Sequence, residues 1–469
     1  MIKKQWIGVG GAVLLLGGCA VGPDYQRPLA YVPERFQGKT EVAAKDQHQW
    51  RQATPQDHQE RGQWWQIFQD AELDRLEQLA LKNNYSLAVA LAQRDQAQAG
   101  LESAKSGFWP TVGLSAQQSR SRSYMFGSVD HSLGAQASWE PDLWGSVRRA
   151  VEQQGALEQA AEAQMANVRL SVSAQVAQGY FSLLNLQLKQ GIDENNVQIN
   201  QALLDLTHQQ EQSGTINHAG VLQIRAQLES AEAQLQQDRW QLEPLRHALA
   251  VLCAQPAGQF QVHLASTWPQ LPEIPLGLPS SLLQRRPDIA NAERAMAAAN
   301  AGIGLAVAAW YPSLTLSANV AWEANRWGDW LSSPYRYWSM GPSLAEVLFD
   351  GGKRRAAKAS AEAGYRQTVA SYQGQVVTAL QEVEDDLSAI QGLKQQYTLT
   401  HAAVKDAQAA WEITQAQYQA GTLTYLDVLN SEIIMNADRL TDLAVQGQRY
   451  SNCVLLIQAL GGGWSPHSG

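Results

Sequence analysis

The most chemically distinctive residue of the chain is Cys19, which ends the tetrapeptide Leu-Gly-Gly-Cys directly after an apolar run. Residues 1–18 carry lysines at positions 3 and 4 before that run, a pattern typical of a bacterial secretory signal. Cleavage before Cys19 would expose a thiol for attachment of a lipid, and Ala20 at the next position is typical of outer-membrane sorting. We therefore predict a lipid-anchored protein, with an ordinary signal peptide and a chance cysteine as the alternative.

The other reactive side chains form no pattern that supports catalysis. The nine histidines are scattered without an H-E-x-x-H spacing, and the Gly-Gly-Lys of residues 351–353 lacks the spacing of a phosphate-binding loop. Cys253 and Cys453 lie in segments of helical pattern and could pair in an oxidising compartment, but we predict buried free thiols. The sequence predicts no enzyme, no metal and no cofactor.

Charge and hydropathy exclude two classes of protein. The formal net charge is −9, and removing the two signal lysines makes it −11, with no basic run to attract nucleic acid. After the signal, no stretch reaches the roughly 18 to 20 uninterrupted apolar residues of a spanning helix. Any membrane crossing must therefore be made by strands.

Four short segments show the alternation of outer-membrane strands, in which apolar residues facing lipid alternate with small or polar residues facing a lumen. They lie at residues 111–117, 132–139, 313–322 and, less regularly, 335–344. In the third segment the apolar face consists of Leu314, Leu316, Ala318, Val320 and Trp322. Aromatic residues suited to membrane interfaces flank the segments: Phe108, Trp109, Trp139, Trp144, Trp310, Tyr311, Trp338 and Phe349. A soluble hairpin with one buried face is the alternative.

Four strands cannot close a transmembrane barrel, because the smallest barrels have about eight strands and an open edge in hydrocarbon leaves backbone groups unsatisfied. The chain must therefore oligomerise. Two chains would supply eight strands around a filled interior, whereas three would supply twelve and begin to leave room for a passage.

Very long helical segments separate the strands. No proline occurs from Ser146 to Gln212 or from Gly352 to Gln419, and an unbroken helix of that length would span on the order of 100 Å. Apolar residues follow a seven-residue pattern, for example Leu228, Leu235 and Leu242 in the first half and Leu380 and Leu387 in the second. The turns between them, residues 213–217 and 420–424, contain a glycine to end the first helix and a residue to cap the next. A solid bundle and a hollow ring of helices both fit this pattern.

The chain is internally duplicated. Gly145, Arg148 and Arg149 match Gly351, Arg354 and Arg355, and each half contains one hairpin and one long helix pair. We predict a signal peptide at 1–18, an extended segment at 19–71, a first repeat at 72–256, a proline-rich connector at 257–280 and a second repeat at 281–464.

The chain resembles the TolC family of outer-membrane efflux proteins, in particular the lipoprotein subgroup called NodT-type, over nearly its whole mature length. The motifs that carry this resemblance are Cys19-Ala20-Val21-Gly22-Pro23-Asp24-Tyr25-Gln26-Arg27-Pro28, Trp64-Trp65, Arg285-Arg286-Pro287-Asp288-Ile289, Ala292-Glu293-Arg294, Tyr311-Pro312-Ser313 and Leu460-Gly461-Gly462-Gly463-Trp464. The resemblance implies a mainly α-helical trimer. Its twelve-stranded barrel would continue into a long periplasmic helical barrel.

The resemblance also implies a function. The protein would be a passive exit duct in the outer membrane for drugs or other small toxic compounds, served by a periplasmic adaptor and an inner-membrane RND transporter. An exit duct for protein secretion by an ABC transporter and a structural envelope lipoprotein are the alternatives.

Site residues follow from the family by position. The periplasmic gate would include Asp427 and Tyr418, although the family's second gate aspartate is Asn430 here and the first-half counterpart of Asp427 is Gly220. Three copies of Asp427 around an axis would repel one another and raise their pKa values. Its alternative role is a helix N-terminal Asp that interacts with the helix dipole. The adaptor would dock on the helix turns at Gly214, Thr215, Ile216, Gly421, Thr422 and Leu423.

Overall fold

The computed structural model describes residues 20–28, 62–122, 124, 127–272, 274, 285–326, 328, 332, 334 and 336–462. The signal peptide, Cys19, most of the predicted N-terminal segment and Trp464 lie outside these residues, so lipidation at Cys19 stays a prediction. In chain order the elements are α1 (Ala71–Asn83), α2 (Tyr85–Ser106), β1 (Thr111–Arg122), β2 (Gly127–Trp139), α3 (Ser146–Gln212), α4 (His218–Leu252), α5 (Pro287–Ala308), β3 (Ser313–Ala324), β4 (Arg336–Ala345), α6 (Lys353–Gln419) and α7 (Tyr425–Ala459).

The four strands form one antiparallel sheet in the order β1-β2-β3-β4. Thr111 pairs with Ser138, Trp139 with Leu316, and Ser313 with Ala345. Each ladder advances by one residue on both strands throughout, so no bulge shifts the alternation of side chains. Residues that pair across the sheet therefore share one face.

The long helices match the sequence prediction. Helices α3 and α6 contain 67 residues each, and their bounds agree with the predicted ones to within one residue. Their return helices, α4 and α7, contain 35 residues each. This equality of lengths supports the internal duplication. None of the described helices has both the length and the apolar character needed to cross a membrane.

The chain divides into two compact units, residues 1–30, 92–162 and 291–375 in the first and residues 31–91, 163–290 and 376–469 in the second. The sheet belongs to the first unit, whereas the two predicted tip turns belong to the second. Each unit takes segments from both predicted repeats, so the compact units and the repeats divide the chain in different ways.

An aromatic cluster forms the centre of the second unit. The ring of Phe181 lies 4.9 Å from Phe68 and 5.0 Å from Tyr450, and Trp268 stacks on Tyr450 at 4.4 Å between centroids. The same core buries both described cysteines as free thiols, which confirms the prediction for them. Burial raises the pKa of Cys253 to about 11 and that of Cys453 to about 12, so both thiols stay protonated and unreactive.

Candidate functional site

One face of the sheet exposes large apolar side chains. Val112 and Leu114 on β1 are 77% and 78% exposed, and Trp338, Met340 and Leu344 on β4 are 68%, 74% and 69% exposed. The pairing register places all five on the face predicted to meet lipid. Within the described chain, β1 and β4 are edge strands with one partner each. The face suits a hydrocarbon environment, whereas the two open edges do not.

The strands meet the helices at an aromatic junction. The indole N–H of Trp139 donates to the Phe108 carbonyl at 3.1 Å, and that of Trp144 donates to the Pro312 carbonyl at 2.7 Å. Trp144 also stacks on Tyr311, with 4.9 Å between ring centroids. The structure therefore brings together four of the aromatic residues predicted for a membrane interface and satisfies both indole donors, as such a position requires.

Each half repeats one polar motif where its hairpin leads into its long helix. Asp142 accepts hydrogen bonds from the backbone N–H and from Nε of Arg148, at 3.0 and 2.9 Å. Asp350 does the same for Arg354, at 3.0 and 2.8 Å. The two arginines occupy equivalent positions in the repeat but the two aspartates do not, because a different number of residues separates each aspartate from its arginine.

Residues 20–28 form a strap on the first unit, and Arg149 holds it. The Arg149 side chain is 3% exposed, and its guanidinium donates to the carbonyls of Val21 and Gly22 and to the carboxylates of Asp24 and Glu152. Residues 20–28 carry the family resemblance and Arg149 belongs to the internal repeat, but the sequence does not indicate that they meet, because contacts between positions more than 120 residues apart leave no local pattern.

Two further contacts fix the strap on helix α5. The Tyr25 hydroxyl donates to the Glu293 carboxylate at 2.6 Å, and the amide of Asn300 donates to the Pro23 carbonyl at 3.0 Å. Gly22 has a φ of +96°, and a Cβ there would lie 2.5 Å from the Cα of Gly304. Only glycine satisfies both the backbone conformation and the close approach.

The two predicted tip turns have the same backbone geometry. Gly214 and Gly421 have φ values of +74° and +76°. Thr215 N–H donates to the Gln210 carbonyl and Thr422 N–H to the Gln417 carbonyl, both at 2.9 Å. Each turn is therefore a Schellman motif closed by glycine. The docking residues predicted by position all lie in or directly beside these turns.

The caps of the two return helices differ. In the first turn, Asn217 Oδ1 accepts from Gly220 N–H at 3.1 Å. In the second, Asp427 Oδ2 accepts from the Thr424 N–H at 2.9 Å and from the Thr424 hydroxyl at 2.6 Å. Asp427 thus takes part in a capping box, which is the helix-terminal role that the sequence left as the alternative. A capping carboxylate can still contribute negative charge to an opening.

Within one subunit the pKa of Asp427 is lowered, whereas three copies around an axis were expected to raise it. The hydrogen bonds from the Thr424 side chain and backbone lower the pKa of Asp427, since they favour the charged form.

Each turn also holds a pair of neighbouring side chains. At the second turn, the ring centroid of Tyr418 lies 5.4 Å from that of Tyr425. The first turn carries a pair that the sequence did not indicate, Glu211 with His218, whose Nδ1 lies 2.7 Å from Oε1.

A cavity of about 520 Å³ in the second unit contains the titratable carboxyl group of Asp386. The cavity is lined by Arg286, Glu382, Asp385 and Asp386. Asp386 Oδ1 accepts from the Asn452 amide at 2.9 Å, while Asn452 Oδ1 is buried and has no hydrogen-bond partner among the described residues. Burial raises the pKa of Asp386 to about 6; Glu382 and Asp385 add to the rise, whereas the Asn452 hydrogen bond and Arg286 oppose it.

The raised pKa of Asp386 predicts a pH dependence of stability. The folded-state pKa lies above the ordinary value of 3.8, so the folded state binds more protons between the two, and stability falls as pH rises from about 4 through 6. In Asp386→Asn the new amide can donate to Asn452 Oδ1, and we expect a gain on the order of 1 kcal/mol above pH 7, reduced by partial exposure. Thermal midpoints of wild type and Asp386→Asn at pH 5 and pH 8 measure this gain in stability. Asp385→Asn is the exposed control, and equal pH slopes for Asp386→Asn and wild type would contradict the prediction.

Comparison with known proteins shows that this sheet and these helices define an outer-membrane channel. The profile of the outer membrane efflux protein family matches residues 76–254 and 278–462. The chain belongs to this family.

Two relatives and one solved structure illustrate the match. The pyoverdine export outer membrane protein OpmQ of Pseudomonas aeruginosa is 33% identical, over 97% of this chain and 96% of its own. The cation efflux system protein CusC of Escherichia coli is 28% identical, over 96% and 97%. The structure of the outer-membrane channel OprN superposes with a TM-score of 0.82 at 30% identity and covers 96% of this chain and 100% of its own.

These similarities confirm the predicted fold class, mainly helical with channel strands, and the predicted function in its general form. The chain is an outer-membrane exit duct of an efflux system, located in the outer membrane and extending into the periplasm.

Proposed function

We propose that three copies of the chain close a twelve-stranded barrel and that the resulting duct passively conducts small compounds delivered from the inner membrane. The open sheet carries this proposal: exposed apolar side chains cover one face, while β1 and β4 each keep an unpaired edge within the described chain. Pairing β4 of one subunit with β1 of the next removes every edge. The chain itself catalyses no reaction in this proposal.

The proposed partners are a periplasmic adaptor and an inner-membrane RND transporter. The adaptor would dock on the two tip turns, Gly214–Ile216 and Gly421–Leu423, whose matching Schellman geometry presents two similar surfaces per subunit. Lipidation of Cys19 would add an anchor beside the barrel. The relatives named above are a pyoverdine export protein and a cation efflux system protein. The sparse methionines of this chain favour organic compounds over a dedicated copper route.

Partner identity tests this proposal. In vivo cross-linking from a tagged copy, followed by mass spectrometry, should recover an adaptor together with an RND transporter. Recovery of an adaptor with an ABC transporter would move the assignment to protein export. Recovery of the chain alone would contradict the tripartite duct.

A second prediction concerns the gate. We expect Asp427→Ala to raise the single-channel conductance severalfold in planar bilayers and to weaken cation preference, because three carboxylates would be lost from the narrow end of the duct. Asp427→Asn separates charge from capping, since an asparagine oxygen can still accept from Thr424 N–H. Asp406→Ala, at an exposed position on α6, is the control. Currents that stay unchanged in both Asp427 variants would remove this residue from the gate.

A further inference from the structure

Charged side chains are sorted between the two faces of the sheet at one of its ends. Where β1 ends and β4 begins, Arg120, Arg122 and Arg336 share the face of the exposed apolar residues. The acidic residues at the same end, Asp130 and Glu323, fall on the opposite face. Cations therefore point outward from the proposed barrel, and the carboxylates point into its lumen.

This end of the sheet is the extracellular one. At the other end the strands join the helices through the aromatic junction, and the helices extend into the periplasm in this family. Loops between β1 and β2 and between β3 and β4 follow the end that carries the arginines. The arginines therefore lie toward the outer leaflet of the membrane.

The strand register places the arginines at the outer boundary of the hydrocarbon. Arg120 follows Val112 by eight positions along β1, and Arg336 precedes Leu344 by eight positions along β4. At about 3.3 Å per residue and a tilt near 40°, eight residues rise by roughly 20 Å, against an apolar band about 25 Å tall. Arg336 pairs directly with Trp322, an aromatic residue suited to the interface.

The three arginines need an anion from outside the chain. All are exposed, and none forms an ion pair with another residue in the described part of the chain. An arginine on the lipid face is strongly unfavourable at the midplane but costs little near an interface, so this position is tolerated only at the boundary. Guanidinium groups bind phosphate through two parallel hydrogen bonds, and phosphates are the anions at that boundary.

We propose that Arg120, Arg122 and Arg336 form a binding site for the phosphate groups of a phosphorylated glycolipid of the outer leaflet. The arginines lie on the two edge strands of the sheet. In the closed barrel, which rests on the proposed trimer, β4 of one subunit lies beside β1 of the next. One bound lipid would then contact two subunits and bridge their junction.

The test is native mass spectrometry of the full-length protein in detergent, titrated with diphosphoryl lipid A. We expect the combined variant Arg120→Gln, Arg122→Gln, Arg336→Gln to bind lipid A at least tenfold more weakly than wild type. Ser119→Gln with Ser121→Gln, at the same strand end but on the inward face, is the matched control and should bind like wild type. Lysine at the three arginine positions should restore part of the affinity.

Each outcome decides the proposal. Equal binding by the triple glutamine variant and wild type would overturn it. Displacement of lipid A by excess inorganic phosphate alone would also overturn it, by showing a general anion site instead of a lipid site. The mass of the assembly appears in the same spectra, so a chain that binds lipid A as a monomer would contradict the trimer while leaving the arginine site intact.

Discussion

Replacing Arg149 with alanine should release the strap formed by residues 20–28 and lower the free energy of unfolding by about 3 kcal/mol, within the range measured when one partner of a buried charged network is removed. The guanidinium is buried and donates to two backbone carbonyls and two carboxylates. The Asp24 pair contributes little, because its carboxylate is 90% exposed. The carbonyls of Val21 and Gly22 lose their donor, and Glu152 loses its buried partner.

Two readouts check this expectation. Limited proteolysis should cut within residues 20–28 in Arg149→Ala but not in wild type, and the thermal midpoint of the solubilised protein should fall. Arg355 is the repeat equivalent of Arg149 but is exposed, so Arg355→Ala should change stability by no more than about 0.5 kcal/mol. Equal effects of the two substitutions would show that the strap contacts do not stabilise the protein.

Replacing Glu77 with methionine should stabilise the protein by about 1 to 3 kcal/mol at pH 8, because it removes a buried carboxyl without a hydrogen-bond partner. Glu77 is fully buried on helix α1, and no described group forms a well-aligned hydrogen bond with either of its oxygens. Burial raises the pKa of Glu77 well above its ordinary value, and the nearby Ser173 hydroxyl lowers it only in part. Methionine has a similar volume and no polar atoms to satisfy.

The stabilisation by Glu77→Met should depend on pH. A folded-state pKa above the unfolded value means that the folded state binds more protons above about pH 4.5, so wild-type stability falls as pH rises. The gain from Glu77→Met should therefore be larger at pH 8 than at pH 5. Gln78→Met, at the exposed neighbouring position, controls for the effect of methionine in the helix. A gain that does not grow with pH would mean that Glu77 finds a partner when charged.

Local sequence patterns were sufficient for the long helices and for the existence of the four strands, but β1 extends to Arg122 and β2 begins at Gly127, beyond the predicted segments. The bounds of α3 and α6 could be predicted because glycine-containing turns and prolines mark where such long helices end. The strands could be predicted because each faces two different environments, which imposes a period of two. The tip turns followed from Gly214 and Gly421, whose positive φ values explain the choice of residue.

Long-range contacts could not be predicted in the same way. The strap depends on Arg149 meeting residues near the N-terminus, and nothing in either segment specifies the other. Glu77 lies on the buried face of α1 with Leu73 and Ala80, but no local pattern indicates that a carboxyl there lacks a hydrogen-bond partner. The family resemblance predicted a gate role for Asp427, and its position predicted a helix-terminal role as the alternative. The geometry of one subunit shows the helix-capping role directly.

The central claim is that β4 of one subunit pairs with β1 of the next to close the duct. A cysteine at Ser339, inward-facing on β4, can be combined in turn with cysteines at inward-facing positions of β1: Gly113, Ser115, Gln117 and Ser119. Oxidation in native membranes should yield a covalently closed species of three subunits for one register or for two adjacent ones. Cysteines that all react with maleimide but form no link between subunits at any register would contradict the claim.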